Sequence, residues 1–292
     1  MNNYRDYLED AVVNDYCRYT PKGLKLRADP FLNVKLADSS KKLLVVGVAL
    51  GGGEEIEALN KYFPNHHIYG IDVAKSALNQ KVNAKLIYSD IADLKFKDNF
   101  FSGIMCSAVM HEVYSYSSDG KKKVGKAISE ISRVLVKDGI CAIREFFVPE
   151  NMPCKLICLT KESKEFAKKF IPNFRANFNN NFKREYIIKK DGIYSSRRFL
   201  TELMLHFRVV DSHFNSIQDF LNSKEIEEEY LPMSLIDYSE LIWENGMDII
   251  SVKYINFPKY HAVINRHFRL FDMNNKEVKN KYGFIDIVFR KK

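Results

Sequence analysis

Val46-Gly47-Val48-Ala49-Leu50-Gly51-Gly52-Gly53-Glu54-Glu55 runs from an apolar segment, through glycines, into a stretch with helical character. A strand that feeds a glycine turn and then a helix holds a ligand close to backbone. Glycine permits the tight turn and removes side chains that would block approach. The first turn of the helix adds N–H groups with no partner inside the helix. An acidic residue about 20 positions further on, at the end of the next strand, suits the two hydroxyls of a ribose. Asp72 stands at that place, closing His67-Ile68-Tyr69-Gly70-Ile71.

Working outward, Leu43 to Val48 is an apolar run of the kind a buried parallel strand requires. Glu54 to Tyr62 predicts a helix with Ile56, Leu59 and Phe63 on one stripe, stopped by Pro64. A short helix is expected over Lys75 to Lys81 and further strands over Ala84 to Tyr88, Phe101 to Ala108 and Ile140 to Phe147. Lys121 to Val136 places Val124, Ile128, Ile131 and Leu135 on one helical face. Strands alternating with helices imply an α/β fold, a Rossmann-like doubly wound sheet. Beyond Pro149 the pattern turns charged and mostly helical, as over Lys161 to Phe170 and Arg197 to Phe207, with an Asn-rich loop at 177–181. Strand character returns over Met247 to Ile255 and Gly283 to Arg290. The expected organisation is a nucleotide domain over residues 1–150 and 240–292 that ends in an antiparallel β-hairpin. Residues 151–239 form a mostly helical insertion or lid over the substrate site.

A chain of 292 residues with 46% hydrophobic residues can bury a substantial core, which excludes a disordered class. No apolar run approaches the roughly 20 residues of a membrane helix. The first residues carry no apolar signal region, and five cysteines at irregular spacing suit free thiols. A cytoplasmic protein with no membrane partner is expected. The net charge of +8 is spread through Lys-rich segments and reads as a solvated surface, so no nucleic-acid partner is expected. Cys154 and Cys158 have helical spacing but no nearby His pair, so no metal is expected either.

With these segments in order, the chain resembles the class I S-adenosylmethionine-dependent methyltransferases over roughly residues 40–150 and, more weakly, 236–292. The family's glycine motif falls on Gly47 to Gly53, with Gly47 where the family has an acid and Ala49 where it has its first glycine. The resemblance implies that Gly47, Ala49, Gly51 and Gly53 cradle the cofactor and that Asp72 binds its ribose. It implies that Asp90 and Ile91 meet the adenine. Cys106-Ser107-Ala108-Val109-Met110-His111-Glu112-Val113 resembles the fourth-strand motif beside the reactive sulfonium, which brings in Ser107. Ser132 to Gly139 resembles the junction into the fifth strand, with Lys-Asp-Gly where Pro-Gly-Gly is usual.

The implied cofactor is S-adenosylmethionine, and the implied chemistry is in-line displacement at a sulfonium carbon. The protein then has to align a nucleophile and exclude water. A base is needed only if the nucleophile arrives protonated, and His111, Glu112 and Glu145 are the candidates. Arg144 is expected to pair with a carboxylate. The acceptor is expected to be a small molecule, because a lid suits something that can be enclosed. Other readings stay open. Gly51-Gly52-Gly53-Glu54 is similar to the loop of aminopropyltransferases, which use decarboxylated S-adenosylmethionine, here with an anionic acceptor such as the nucleotide phosphate of a peptide–nucleotide antibiotic. Gly47-x-Ala49-x-x-Gly52 approaches a dinucleotide fingerprint. A non-catalytic binding subunit and a basic RNA-modifying enzyme complete the set. The oligomeric state is not legible.

Overall fold

A computed structural model describes residues 21–48, 53–174, 186–256, 258–279 and 283–292. The first part of the chain holds α1 (Pro21–Leu32), β1 (Lys42–Val46), α2 (Gly53–Tyr62), β2 (His67–Asp72), β3 (Lys85–Tyr88) and β4 (Phe101–Ser107). Next come α3 (Met110–Ser115), α4 (Gly120–Val134) and β5 (Leu135–Phe146). The middle holds β6 (Pro153–Cys158), α5 (Lys161–Asn173), β7 (Ile187–Lys189), β8 (Gly192–Ser196), α6 (Arg197–His213) and α7 (Ile217–Asn222). The last part holds α8 (Leu235–Glu244), β9 (Met247–Asn256), α9 (Pro258–His267), β10 (Phe268–Asp272) and β11 (Gly283–Lys291).

Seven strands form one sheet in the order β3-β2-β1-β4-β5-β11-β9. The first five run parallel, and β11 is antiparallel to both β5 and β9. This is the doubly wound α/β sheet that the apolar runs imply. The burial of Leu43, Leu44, Val45 and Val46 explains the unbroken apolar run of β1, since a central parallel strand is covered on both faces. On one face α4 packs Val124, Ala127, Ile128 and Ile131, all fully buried. Burying Val124, Ile128 and Ile131 contributes about 1.5–3 kcal/mol each. Asp119 caps that helix by accepting the Lys122 N–H at 3.2 Å. Residues 75–81, expected as a short helix, contain only a 3₁₀ turn, Ser76–Asn79.

The segment after Pro149 holds the helices α5, α6 and α7, with short strands among them. β6, β8 and β7 lie in a second sheet, ordered β10-β6-β8-β7. Its fourth member, β10, comes from the stretch between β9 and β11, so those two strands pair antiparallel without being a tight hairpin. Amphipathic helices dominate the residue pattern here, and the strands between them are too short to show a clear period. The two sheets have separate apolar cores, and Phe146 from β5 belongs to the second.

Within that second core His206 is fully buried against the rings of Phe170, Phe174, Phe220 and Tyr230. Neither ring nitrogen has a hydrogen-bond partner among the described residues, and burial pushes its pKa down to about 3, so the ring is neutral. A buried polar group without a partner costs about 1–3 kcal/mol. His206→Phe is therefore expected to raise stability by about 1 kcal/mol. A urea midpoint equal to or below that of the wild type would refute this.

Candidate functional site

The strand register builds the site. Val46 pairs with Ile71 on one side and with Cys106 on the other, so Gly47, Asp72 and Ser107 line one edge, at the carboxyl ends of β1, β2 and β4. The sheet order reverses between β1 and β4, and ligands in such sheets bind outside that switch point. Ser107 pairs with Arg144, which puts Glu145 next in the row.

Gly47 has φ +77°, the left-handed region that favours glycine. A Cβ there would lie 2.4 Å from Cγ2 of the buried Val109. The tips of β1 and β4 therefore meet with no space for a side chain. Gly47→Ala is expected to cost about 2–3 kcal/mol through combined dihedral strain and overpacking. A thermal melt unchanged from the wild type would contradict this.

Asp72 is buried, and its Oδ1 accepts the Ala74 N–H at 2.8 Å. Asp90 uses Oδ1 in the same way on Ala92, at 2.9 Å, and its Oδ2 lies 3.2 Å from Lys123 Nζ. Ile91 is buried beside it. Gly53 opens α2 as a buried residue, whereas Ala49 and Gly51 lie outside the described residues. Of the basic residues ahead of β1, Arg27 pairs with Glu54 and Glu55, which ties α1 to the start of α2. Burial opposes the charge on Arg27, and the two carboxylates more than offset this.

Beyond β4 the chain turns sharply. Ala108 takes φ +53° and donates its N–H to Arg144 O at 2.8 Å. Oε1 of Glu145 accepts the next three N–H groups, from Val109 at 2.9 Å, Met110 at 2.6 Å and His111 at 3.4 Å. Its Oε2 meets His111 Nδ1 at 2.7 Å, and His111 Nε2 lies 2.9 Å from Oε1 of Glu228. All three side chains are buried. Burial disfavours the charged imidazole, but Glu145 and then Glu228 override it and raise the His111 pKa well above its ordinary value. With a carboxylate at each nitrogen His111 is an imidazolium, so it is a clamp and not the base that the sequence suggested. Glu145 is likewise committed to backbone and to His111. Glu112 is partly exposed on α3, and of the three candidate bases it alone retains access to solvent.

Glu228 went unrecognised in the sequence. It sits in the acidic run Glu227-Glu228-Glu229, whose plainest reading is a solvated face. Tyr116 Oη donates to Glu228 Oε2 at 3.2 Å, and Glu229 N–H donates to Ser115 Oγ at 2.8 Å. Tyr230 rests its ring on His111 and Phe146. The middle segment is thereby fastened onto α3. Arg144 pairs through two contacts with buried Asp286, at 2.7 and 2.8 Å, as its sequence context suggested.

Residues 46–143 match the family model described as a methyltransferase domain. The match covers about a third of the chain, and over residues 46–143 the protein carries a methyltransferase domain. Its cofactor is S-adenosylmethionine. The methyltransferase edge fits that group, because the side-chain-free tip of β1 at Gly47 and the buried acid Asp72 stand side by side at the ends of β1 and β2, next to the switch point. The chain is remotely similar to several solved structures. A SAM-dependent methyltransferase from Methanosarcina mazei is 14% identical with TM-score 0.44, covering 88% of this chain and 94% of that one. A 1,6-didemethyltoxoflavin-N1-methyltransferase from Burkholderia thailandensis is 10% identical with TM-score 0.45, covering 93% and 77%. The MccD protein is 15% identical with TM-score 0.47, covering 94% and 100%. No curated protein matches the chain in sequence. Among the described residues no helix is long and apolar enough to cross a membrane.

Proposed function

We infer that this methyltransferase moves the methyl group of S-adenosylmethionine to a small-molecule acceptor held between the carboxyl edge of the main sheet and the 151–239 segment. The observation that carries this is the fastening of residues 228–230 onto α3 through His111, Ser115 and Tyr116. That contact covers the ground beyond β4, which favours an acceptor that can be enclosed.

When bound, the cofactor supplies an electrophilic methyl carbon on a sulfonium. The residues of the chain bind and orient. Asp72 takes the ribose hydroxyls, Asp90 and Ile91 take the adenine, and Gly47 with Gly53 gives the backbone close approach. Glu145 and His111 hold the turn at 107–110, so the wall beside the reacting carbon stays fixed, in keeping with catalysis by positioning. Glu112, which is partly exposed, receives a proton if the acceptor arrives protonated.

Calorimetric titration with S-adenosylmethionine, S-adenosylhomocysteine and decarboxylated S-adenosylmethionine tests the donor. Saturable binding of the first two, and transfer of a 14 Da increment to a trapped acceptor, is the expected result. Preference for the decarboxylated donor would replace methyl transfer by aminopropyl transfer. Heat with none of the three would sink the reading.

A further inference from the structure

We propose that His111, Glu112 and Glu228 form a binding site for a divalent first-row metal ion at the junction of α3 with the covering segment. One ligand atom from each, the imidazole nitrogen and two carboxylate oxygens, all lie within 4.8 Å of one another. His111 and Glu228 are buried and Glu112 is partly exposed. The 2.9 Å between His111 Nε2 and Glu228 Oε1 is the spacing of neighbouring ligands on one ion with bonds of about 2.1 Å. Bringing the widest separation to the about 3.0–3.4 Å of neighbouring ligands takes a side-chain movement of about 1.4–1.8 Å at most.

The outer partners are those a metal ligand needs. A ligating histidine donates its other ring N–H to a carboxylate, which fixes the ring and the tautomer. Glu145 Oε2 is the acceptor for Nδ1–H, 2.7 Å away, and the carboxylate is itself anchored by backbone N–H groups. Tyr116 Oη holds the second oxygen of Glu228. Binding of the ion at Nε2 releases the proton that His111 otherwise shares with Glu228. One imidazole with two carboxylates suits Mn²⁺ or Zn²⁺. Three protein ligands leave positions for water or for an oxygen of the acceptor, an extension that rests on the transfer reading above.

The test is a titration of metal-stripped protein with Mn²⁺, followed by electron paramagnetic resonance, and with Zn²⁺ by calorimetry. One saturable site per chain is expected. Glu112→Gln, which leaves the Glu145–His111–Glu228 contacts in place, should weaken it at least about tenfold, and Glu145→Gln by about 10–100-fold. S-adenosylhomocysteine binding is measured on the same samples. Protein that binds S-adenosylhomocysteine yet shows no saturable metal site up to about 1 mM overturns the metal site and leaves the methyltransferase reading intact. A site whose affinity is unchanged in Glu112→Gln also overturns it.

Discussion

Replacing Asp72 with alanine is expected to weaken S-adenosylhomocysteine binding at least about a hundredfold, because two charge-assisted hydrogen bonds to ribose hydroxyls contribute about 1.5–3 kcal/mol each. The carboxylate also has a structural duty, since Oδ1 accepts the Ala74 N–H. Asp72→Asn separates the two. It keeps an oxygen for Ala74 but loses the charge and turns one acceptor into a donor. The expected order of affinity is wild type, then Asp72→Asn about tenfold weaker, then Asp72→Ala. Thermal melts should drop only for the alanine variant, by the loss of one turn-closing hydrogen bond, about 1 kcal/mol. Titration calorimetry at fixed ionic strength reads the affinities. If Asp72→Ala binds within threefold of a wild type that itself binds the ligand, Asp72 is a turn residue and not the ribose anchor.

What could be read ahead of the structure followed burial on two faces. β1 carries an unbroken apolar run from Leu43 to Val46 because both its faces are covered, and α4 shows its stripe because only one side is covered. The second sheet was not legible for a matching reason. In β6, Cys154 and Leu156 are buried while Lys155 and Ile157 are only partly covered, and the apolar Ile157 on that outer side hides the alternation in the sequence. The same Cys154 and Cys158 look helically spaced in the bare sequence. The three residues of β7 are exposed and carry no burial signal at all. Pro258 at the first position of α9 was a usable start signal, since proline suits the first helical turn. It passed unread because β9 and β11 suggested a direct hairpin. Gly47, Asp72 and Ser107 were legible as candidates because each lies at the carboxyl end of a strand. Glu228 was not, since its partner His111 lies 117 positions earlier and no local period joins them.

The clamp on His111 carries the largest stability effect. Glu145→Gln is expected to cost about 3–5 kcal/mol, the range for removing one partner of a buried ion pair. The amide oxygen of glutamine can still accept from Met110, but its NH₂ group then faces the Nδ1–H of His111, donor against donor. For a protein whose total stability is about 5–15 kcal/mol, this is a large fraction. The pH dependence distinguishes loss of the pair from general damage. The folded-state pKa of His111 is raised above the ordinary 6.5, so its contribution is fully present below about 6.5 and is lost as pH rises through the folded value. Glu145 is the larger of the two favourable causes of that shift, ahead of Glu228. Removing it should lower the folded value, so the wild type loses more stability between neutral and alkaline pH than Glu145→Gln does. Urea unfolding of both proteins across that range provides the comparison. A variant within about 1 kcal/mol of wild type, with a parallel pH profile, would show that the turn after β4 is held by the Arg144 carbonyl and by packing, with the clamp contributing little.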